Sequence, residues 1–545
     1  MQLSRRNFLT TASAGGFGIL IPSFKLIRNS FTNQQLILDQ EFINLIKSKI
    51  EKEIIPLMEQ EYLYSGTIFD DNYEPELKYK EKVVNFYDYQ ATGISVLAIL
   101  ASQGNTRANV LIKKIQNNIH YYQQNIFGME IDGSGWDVPL RRLLLHIALA
   151  YKELEPLLSK DDKKLYTDLV EQQVPLAIAH NENFFPGKDD LYMTANNHTA
   201  IFMQGIYYCG KVFNHPEWVD LTLDFANRMY DSVNPDGYFE EMSNKERDGG
   251  PSLVYTRLTL GCLYDVLDGR KKLQEKFIKA GDFYRSFINY DYKMIPIADE
   301  RTNDSGKGIE YGLALHSLTA RGRYFIVDNL ASLDFSNLPI EDLSVIYHEI
   351  NLMKFGNCEL PENRVERNSH IALPLGIVRK NGFTAGLSAL LALNRHLYPR
   401  SDYHLDQQDM VYLSHKKAGI ILAGYKSKNN PEFSTFRIGS DAYTVKTGKL
   451  LMGDGWAEAN LYYETFRAQI RWEISDTARL ILTADSDKVI TTSLLVTDEK
   501  FVQTDKNYQT KYLNGFSPYT KNNDEGKIKA LIFEWEKRLV IEFNI

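Results

Sequence analysis

Cysteine is almost absent: Cys209, Cys262 and Cys358 are the three in a chain of 545 residues. They are too few and too far apart for a disulfide framework or a cysteine-based metal cluster, so stability has to come from apolar burial. Basic runs are also missing, and 70 acidic against 62 basic residues give a formal net charge of −8. A nucleic-acid partner is therefore not expected, because it needs clustered Lys and Arg to neutralise phosphates. An anionic polymer held in a locally basic cleft is not excluded by that balance. After Phe24 no stretch approaches the roughly 20 consecutive apolar residues that span a bilayer, so no transmembrane segment is expected in the mature chain. His-Glu-x-x-His, a phosphate-binding loop and a dinucleotide glycine pattern are lacking as well, and no cofactor or metal is expected. Aromatics are not scarce: 33 Tyr and 28 Phe suit a core and also the lining of a sugar-binding groove.

The N-terminus carries an address. Ser4-Arg5-Arg6-Asn7-Phe8-Leu9 matches the twin-arginine consensus, and a weakly apolar stretch over 9–24, rich in Gly, Ala, Ser and Thr, precedes Lys25. A basic start and a modest apolar stretch are what an export signal needs. Residues 1–30 are therefore expected to be a twin-arginine export signal, with the protein periplasmic or extracellular. No Cys lies near the segment, which argues against a lipid anchor.

A length of 545 residues exceeds one ordinary core, and the pattern divides in two. Over 31–357 apolar residues recur at helical spacing, as in Phe42, Ile43, Leu45, Ile46, Ile50, Ile54 and Leu57. The same spacing predicts helices over 87–102, 107–124, 139–158, 161–180, 199–213, 216–232, 252–267, 271–289, 310–330 and 340–353. So many helices of similar length, joined by loops, fit helical hairpins stacked into an incomplete α/α toroid. From 369 to 545 the pattern changes to short β-branched and aromatic runs. Lys380-Asn381-Gly382 between 376–379 and 383–387 reads as a hairpin turn, and Lys417-Ala418-Gly419 as another. The expected fold is thus multidomain, an N-terminal α/α toroid followed by an antiparallel β-sandwich.

Two strings concentrate polar chemistry at helix starts. Tyr192-Met-Thr-Ala-Asn196-Asn197-His198-Thr199 runs into a helix. About forty residues later Asn234-Pro-Asp236-Gly237 is followed by Glu240-Glu241, then by a Gly-rich loop leading to Tyr255 and Arg257. Asn at a helix start also serves as a cap, and a Tyr on an apolar helix face is ordinarily core. Order and context together set Asn197 and Tyr255 apart.

An Asn at a helix start, an Asp-Gly loop and a Tyr opening the next helix resemble the α/α-toroid polysaccharide lyases. That superfamily includes chondroitin AC, hyaluronate and xanthan lyases, heparinase II/III and oligoalginate lyases. Asn197-His198 is most like the heparinase and oligoalginate branch, while Gly453-Asp454-Gly455-Trp456 with Leu461-Tyr462-Tyr463 resembles the chondroitin and hyaluronate branch. Two features depart from the latter: residues 240–250 hold no His, and the Arg-rich segment after the Tyr helix has only Arg301, Arg321 and Arg323 as counterparts. The resemblance implies β-elimination on a uronic-acid-containing polysaccharide. Asn197 would neutralise the sugar carboxylate, His198 would be base or neutraliser, and Tyr255 would be base and acid. Trp136, Arg257, Glu241, His404 and His415 are expected to bind substrate, the last two lent by the β-domain, with no metal. Two other readings stay open: a toroid glycoside hydrolase with Asp137 and Glu240 or Glu241 as paired carboxylates, and a non-catalytic carbohydrate-binding protein.

Overall fold

The computed structural model describes residues 36–65, 91–125, 141–180, 197–241, 250–251, 253–267, 274–290, 292–295, 297, 312–360, 365–367, 374–389, 411–422, 435–438, 441–442, 447–512 and 529–545. Among them are eleven α-helices: α1 (Gln40–Ser65), α2 (Ile94–Ser102), α3 (Thr106–Asn125), α4 (Leu143–Leu154), α5 (Lys160–His180), α6 (Asn197–Phe213), α7 (Pro216–Asp231), α8 (Leu253–Leu267), α9 (Gln274–Ser286), α10 (Ala320–Ser332) and α11 (Ile340–Glu349). Their starts are written in side-chain caps. Asp39 Oδ1 accepts the Phe42 N–H at 2.9 Å before α1, Asn105 Oδ1 that of Ala108 at 3.1 Å before α3, and Ser159 Oγ that of Asp162 at 3.1 Å before α5. Each satisfies a donor that the helix itself leaves open. Pro216 opens α7, where a missing N–H costs nothing.

Burial sorts the helices into two sets. Helices α2, α4, α6, α8 and α11 are buried over most of their length, whereas α3, α5 and α7 keep an exposed face. A helix apolar all round belongs inside, and one with a single apolar stripe belongs outside. Inner and outer helices alternate along the chain up to α8, which gives the hairpins of an α/α toroid. The chain ends of this region meet. Strand Ile37–Leu38 pairs with Gly356–Asn357, and Tyr347 OH donates to Glu51 Oε1 at 2.7 Å, tying α11 to α1. One expectation is corrected: 310–330 is not a single helix. A 3-10 turn over Ala314–Leu318 precedes α10, and extended Thr319 between them caps α10 by accepting the Gly322 N–H at 3.0 Å. A β-branched hydroxyl that can cap favours such a break over continuation.

From Val365 onward the described strands form a ten-stranded and a six-stranded antiparallel sheet. Asn381 and Gly382, at φ 52° and 84°, turn strand Leu375–Lys380 into Phe383–Ser388, the left-handed pair that a two-residue hairpin requires. Residues of this sheet alternate between two cores. Leu375, Ile377 and Tyr412 pack with Phe283, Phe287 and Phe325 of the helical part. Val378, Leu387 and Leu413 pack with Leu461, Ile470 and Trp472 of the six-stranded sheet. The order is therefore helices, ten-stranded sheet, six-stranded sheet. Polar bonds seal the first junction: Asn289 Nδ2 donates to Tyr412 OH at 2.8 Å, and Arg379 Nη2 to the carbonyls of Ser286 and Ile288 at 2.8 and 2.7 Å. Among the described residues no helix is long and apolar enough to cross a membrane.

Candidate functional site

The two candidate helix starts are brought together by bonds deeper in the toroid. Gln204 on α6 reaches two residues of α8: its Nε2 donates to Asp265 Oδ2 at 2.7 Å, and its Oε1 accepts from Cys262 Sγ at 3.4 Å. One turn onward, Tyr208 OH donates to Asp265 Oδ1 at 2.7 Å. Partners advance in the same direction on both helices, so α6 and α8 run parallel. Counting back seven residues from Gln204 reaches Asn197, the first residue of α6, and from Cys262 reaches position 255 in the first turn of α8. Seven residues are two turns, about 10 Å, and return to nearly the same helix face. Asn197 and position 255 therefore stand at one end of the helix pair, at one level. Each parallel N-terminus carries roughly half a positive charge, so that end favours an anion.

Asn197 is 8% exposed, at the rim of the buried region. His198 and Tyr255 lie in the first turns of α6 and α8, and Glu241 in strand Glu240–Glu241, paired with Gly250–Pro251. The side chains of these three lie outside the described residues, as do Trp136, Asp137, Arg301 and His404 altogether.

The Asp-Gly string is a tight turn. The Gly237 N–H donates to the Asn234 carbonyl at 2.8 Å, and Asn234 Oδ1 accepts the Asp236 N–H at 2.9 Å. It delivers Phe239 to the first turn of α8, where Thr256 Oγ1 bonds both its N–H and its carbonyl at 3.3 Å. Gly237 has φ 97°, and a Cβ there would lie 2.5 Å from the backbone nitrogen of Ala280 on α9. Gly237→Ala is expected to cost roughly 2–4 kcal/mol from strain and backbone overlap together. Chemical denaturation measures it, and a cost under about 1 kcal/mol would mean that the turn has room to shift.

Arg257 points inward. It is 5% exposed, its Nη1 donates to Tyr284 OH at 3.4 Å, and with Tyr284 and His316 it borders a cavity of ≈ 10 Å³, room for about one water. Next to it Arg285 Nη1 donates to His316 Nδ1 at 2.8 Å. Burial, with Arg285 and Arg257 alongside, holds His316 well below the usual imidazole range and hence neutral. Arg321 binds Glu359 and Arg323 the carbonyls of Asn357 and Ser317, so both hold the chain beyond α11 against α10. His415 is 7% exposed and its Nδ1 accepts the Lys417 N–H at 3.2 Å, which sets the turn of its own hairpin. Asp454 and Gly455 form the turn between strands Thr447–Gly453 and Trp456–Tyr462, where Lys380 Nζ reaches Asp454 at 3.0 Å.

Sequence reasoning missed the polar heart of the toroid. His348 Nε2 on α11 donates to Asp265 Oδ2 at 2.6 Å, with side-chain exposures of 9% and 1%. Burial acts against both charges, yet their mutual attraction prevails: His348 sits above its usual range and Asp265 below. Glu349 accepts the N–H groups of Gly312 and Ala314 at 2.7 and 3.0 Å, and burial pushes its carboxyl up to about 7. His146 and Ser95 share a hydrogen bond of 2.8 Å between α4 and α2, and burial, then the charges of His348 and Arg142, lowers His146 to about 3. The available signal was polar residues at i, i+4 (Gln204, Tyr208) and i, i+3 (Cys262, Asp265) inside apolar helices. Among the described residues no group of His, Cys, Asp or Glu could hold a metal ion.

No protein-family model and no curated protein sequence matches the chain. Solved structures do. Heparinase III superposes with a TM-score of 0.53 at 11% identity, over 87% of this chain and 79% of that one. The fold is similar to that of heparinase III. The heparinase III BT4657 gene product gives 0.51 at 10% identity, covering 95% of this chain and 88% of that one. A mutant of the heparan sulfate lyase HepC from Pedobacter heparinus gives 0.50 at 11% identity, covering 88% and 78%. At such identities the likeness is one of fold, a helical toroid with appended β-sheets, and it reaches across both parts of the chain.

Proposed function

We propose that the chain is an exported polysaccharide lyase that cleaves a uronic-acid-containing polysaccharide by β-elimination. The observation that carries this reading is the common level of Asn197 and position 255 at the N-terminal ends of two parallel inner helices. The heparinase-like fold supports it, and the twin-arginine string at residues 4–9 supports export. A base takes the C5 proton of the uronic acid, the C4–O4 bond breaks, a C4–C5 double bond forms, and the expelled oxygen gains a proton. The C5 proton is a weak acid because the adjoining carboxylate is already negative. Asn197, helped by the helix N-termini, donates to that carboxylate as its charge grows. Tyr255 takes the C5 proton and returns one to the leaving oxygen, with His198 as an alternative base. Arg257 acts from beneath, holding α8 to Tyr284, and His415 serves its hairpin.

The test is ultraviolet detection of the unsaturated product with heparan sulfate, chondroitin sulfates, hyaluronan, alginate, xanthan and ulvan. Product is expected from at least one polymer, with Asn197→Ala slowed about 10²–10³-fold and Tyr255→Phe slowed strongly. New reducing ends without ultraviolet absorbance would sink the lyase reading in favour of paired carboxylates. Saturable binding without either product would do so in favour of a binding protein.

A further inference from the structure

We propose that Asp265 is a positioning residue whose bonds to α6 fix the axial register between Asn197 and position 255. The proposal rests on the lyase reading and extends it to a residue that touches no sugar, since position 255 lies ten residues up the helix, about 15 Å away. The Asp265 carboxylate accepts from Gln204 Nε2 and Tyr208 OH at 2.7 Å each and from His348 Nε2 at 2.6 Å. Two donors come from α6 and one from α11, so one carboxylate on α8 joins three inner helices. Besides the weaker Cys262 Sγ bond to Gln204 Oε1, the neighbouring side chains Met203, Ile206, Leu260 and Leu263 are apolar and buried. Apolar ridges interlock in several registers of similar energy, whereas a charge-assisted hydrogen bond is satisfied in one. Successive residues differ by about 1.5 Å along a helix, and a misplacement of about 1 Å between reacting groups costs on the order of 10²-fold in rate. Gln204 and Tyr208 lie on one face of α6, so their bonds resist both sliding and rotation against α8.

Tyr208→Phe and Gln204→Leu in the full chain each remove one donor to Asp265. Ser95→Ala serves for comparison, because the buried polar bond it breaks joins α2 to α4 and includes no residue of α6 or α8. Two quantities are read: amide hydrogen exchange in the first turns of α6 and α8, and steady-state kinetics on the polymer that yields product. Both seam variants are expected to raise exchange in those turns by about tenfold and to lower kcat by about tenfold to 10²-fold with KM nearly constant. Ser95→Ala is expected to lower the melting temperature and leave both quantities at their starting values. Unaltered exchange at the two helix starts in both seam variants would overturn the proposal, with or without turnover. Unaltered kcat alongside a lowered melting temperature would also overturn it, leaving Asp265 a stabilising residue only. Absence of product from the unmodified chain would strike the lyase reading alone, because the exchange measurement still decides whether Asp265 sets the register.

Discussion

Asp265→Ala is expected to destabilise the helical region by about 3–5 kcal/mol, the cost of breaking a buried ion pair from one side. The residue has one of the least exposed charged side chains described, at 1%, and three donors converge on it. Alanine leaves His348 without its counter-charge. It also leaves the Gln204 amide and the Tyr208 hydroxyl short of an acceptor, where each lost bond of this kind costs about 1–3 kcal/mol. His348 limits the damage by giving up its proton, because a neutral imidazole is far cheaper to bury. The double variant Asp265→Ala, His348→Leu is therefore expected to be less destabilised than the sum of its parts, by about 1–3 kcal/mol of coupling. Urea unfolding followed by far-ultraviolet circular dichroism measures both quantities. A loss below about 1 kcal/mol for the single variant would show that the pair contributes little to folding.

How much of this was legible beforehand depends on the kind of signal. Helix α7 was readable from Pro216 and its apolar stripe, and the hairpin at Asn381-Gly382 from two residues that tolerate positive φ. Such features are local, and local chemistry survives in a linear string. The break at Thr319 was not readable, since the apolar spacing continues through it and only the hydroxyl's bond to the Gly322 N–H ends the preceding turn. Asn197 and position 255 could be picked out as polar groups at helix starts. Their shared level could not, because it depends on Gln204 meeting Cys262, 58 residues away. Arg257 is instructive for the opposite reason. An Arg in the first turns of a helix beside a Gly-rich loop reads as a substrate-binding group, yet it is buried and donates to Tyr284 on the neighbouring α9. Outside their C-terminal turns the inner helices offer little solvent face, and a charge on the buried stretch must be satisfied within the protein. That condition also produces the Asp265–His348 pair and the Glu349 clamp on Gly312 and Ala314.

The same buried groups set the pH dependence of folding, with a stability maximum expected near pH 6.5. His146 is held down to about 3, from an ordinary value of 6.5. Between those pH values the unfolded chain binds a proton that the folded chain refuses, so stability falls as pH drops, by up to about 1.4 kcal/mol per unit. His316, also lowered, adds a contribution of the same sign. Glu349 works in the other direction, raised from 4.5 to about 7. The stabilisation tied to its retained proton is complete below 4.5 and is lost as pH rises to about 7. His348 is raised as well, so its contribution fades above 6.5 as the proton leaves and the pair with Asp265 loses its charge. From pH 4.5 to 6.5 His146 and His316, joined by His415, which burial also lowers, oppose one carboxyl and stability climbs; above 6.5 the contributions of Glu349 and His348 fall. His146→Gln removes one of the rising contributions and is expected to flatten the acid side, while Asp265→Ala is expected to weaken the decline on the alkaline side. Thermal melts from pH 4.5 to 8.5 decide the matter. A melting temperature that keeps climbing through pH 8 would show that Glu349 and His348 are not the buried, proton-holding groups this geometry makes them.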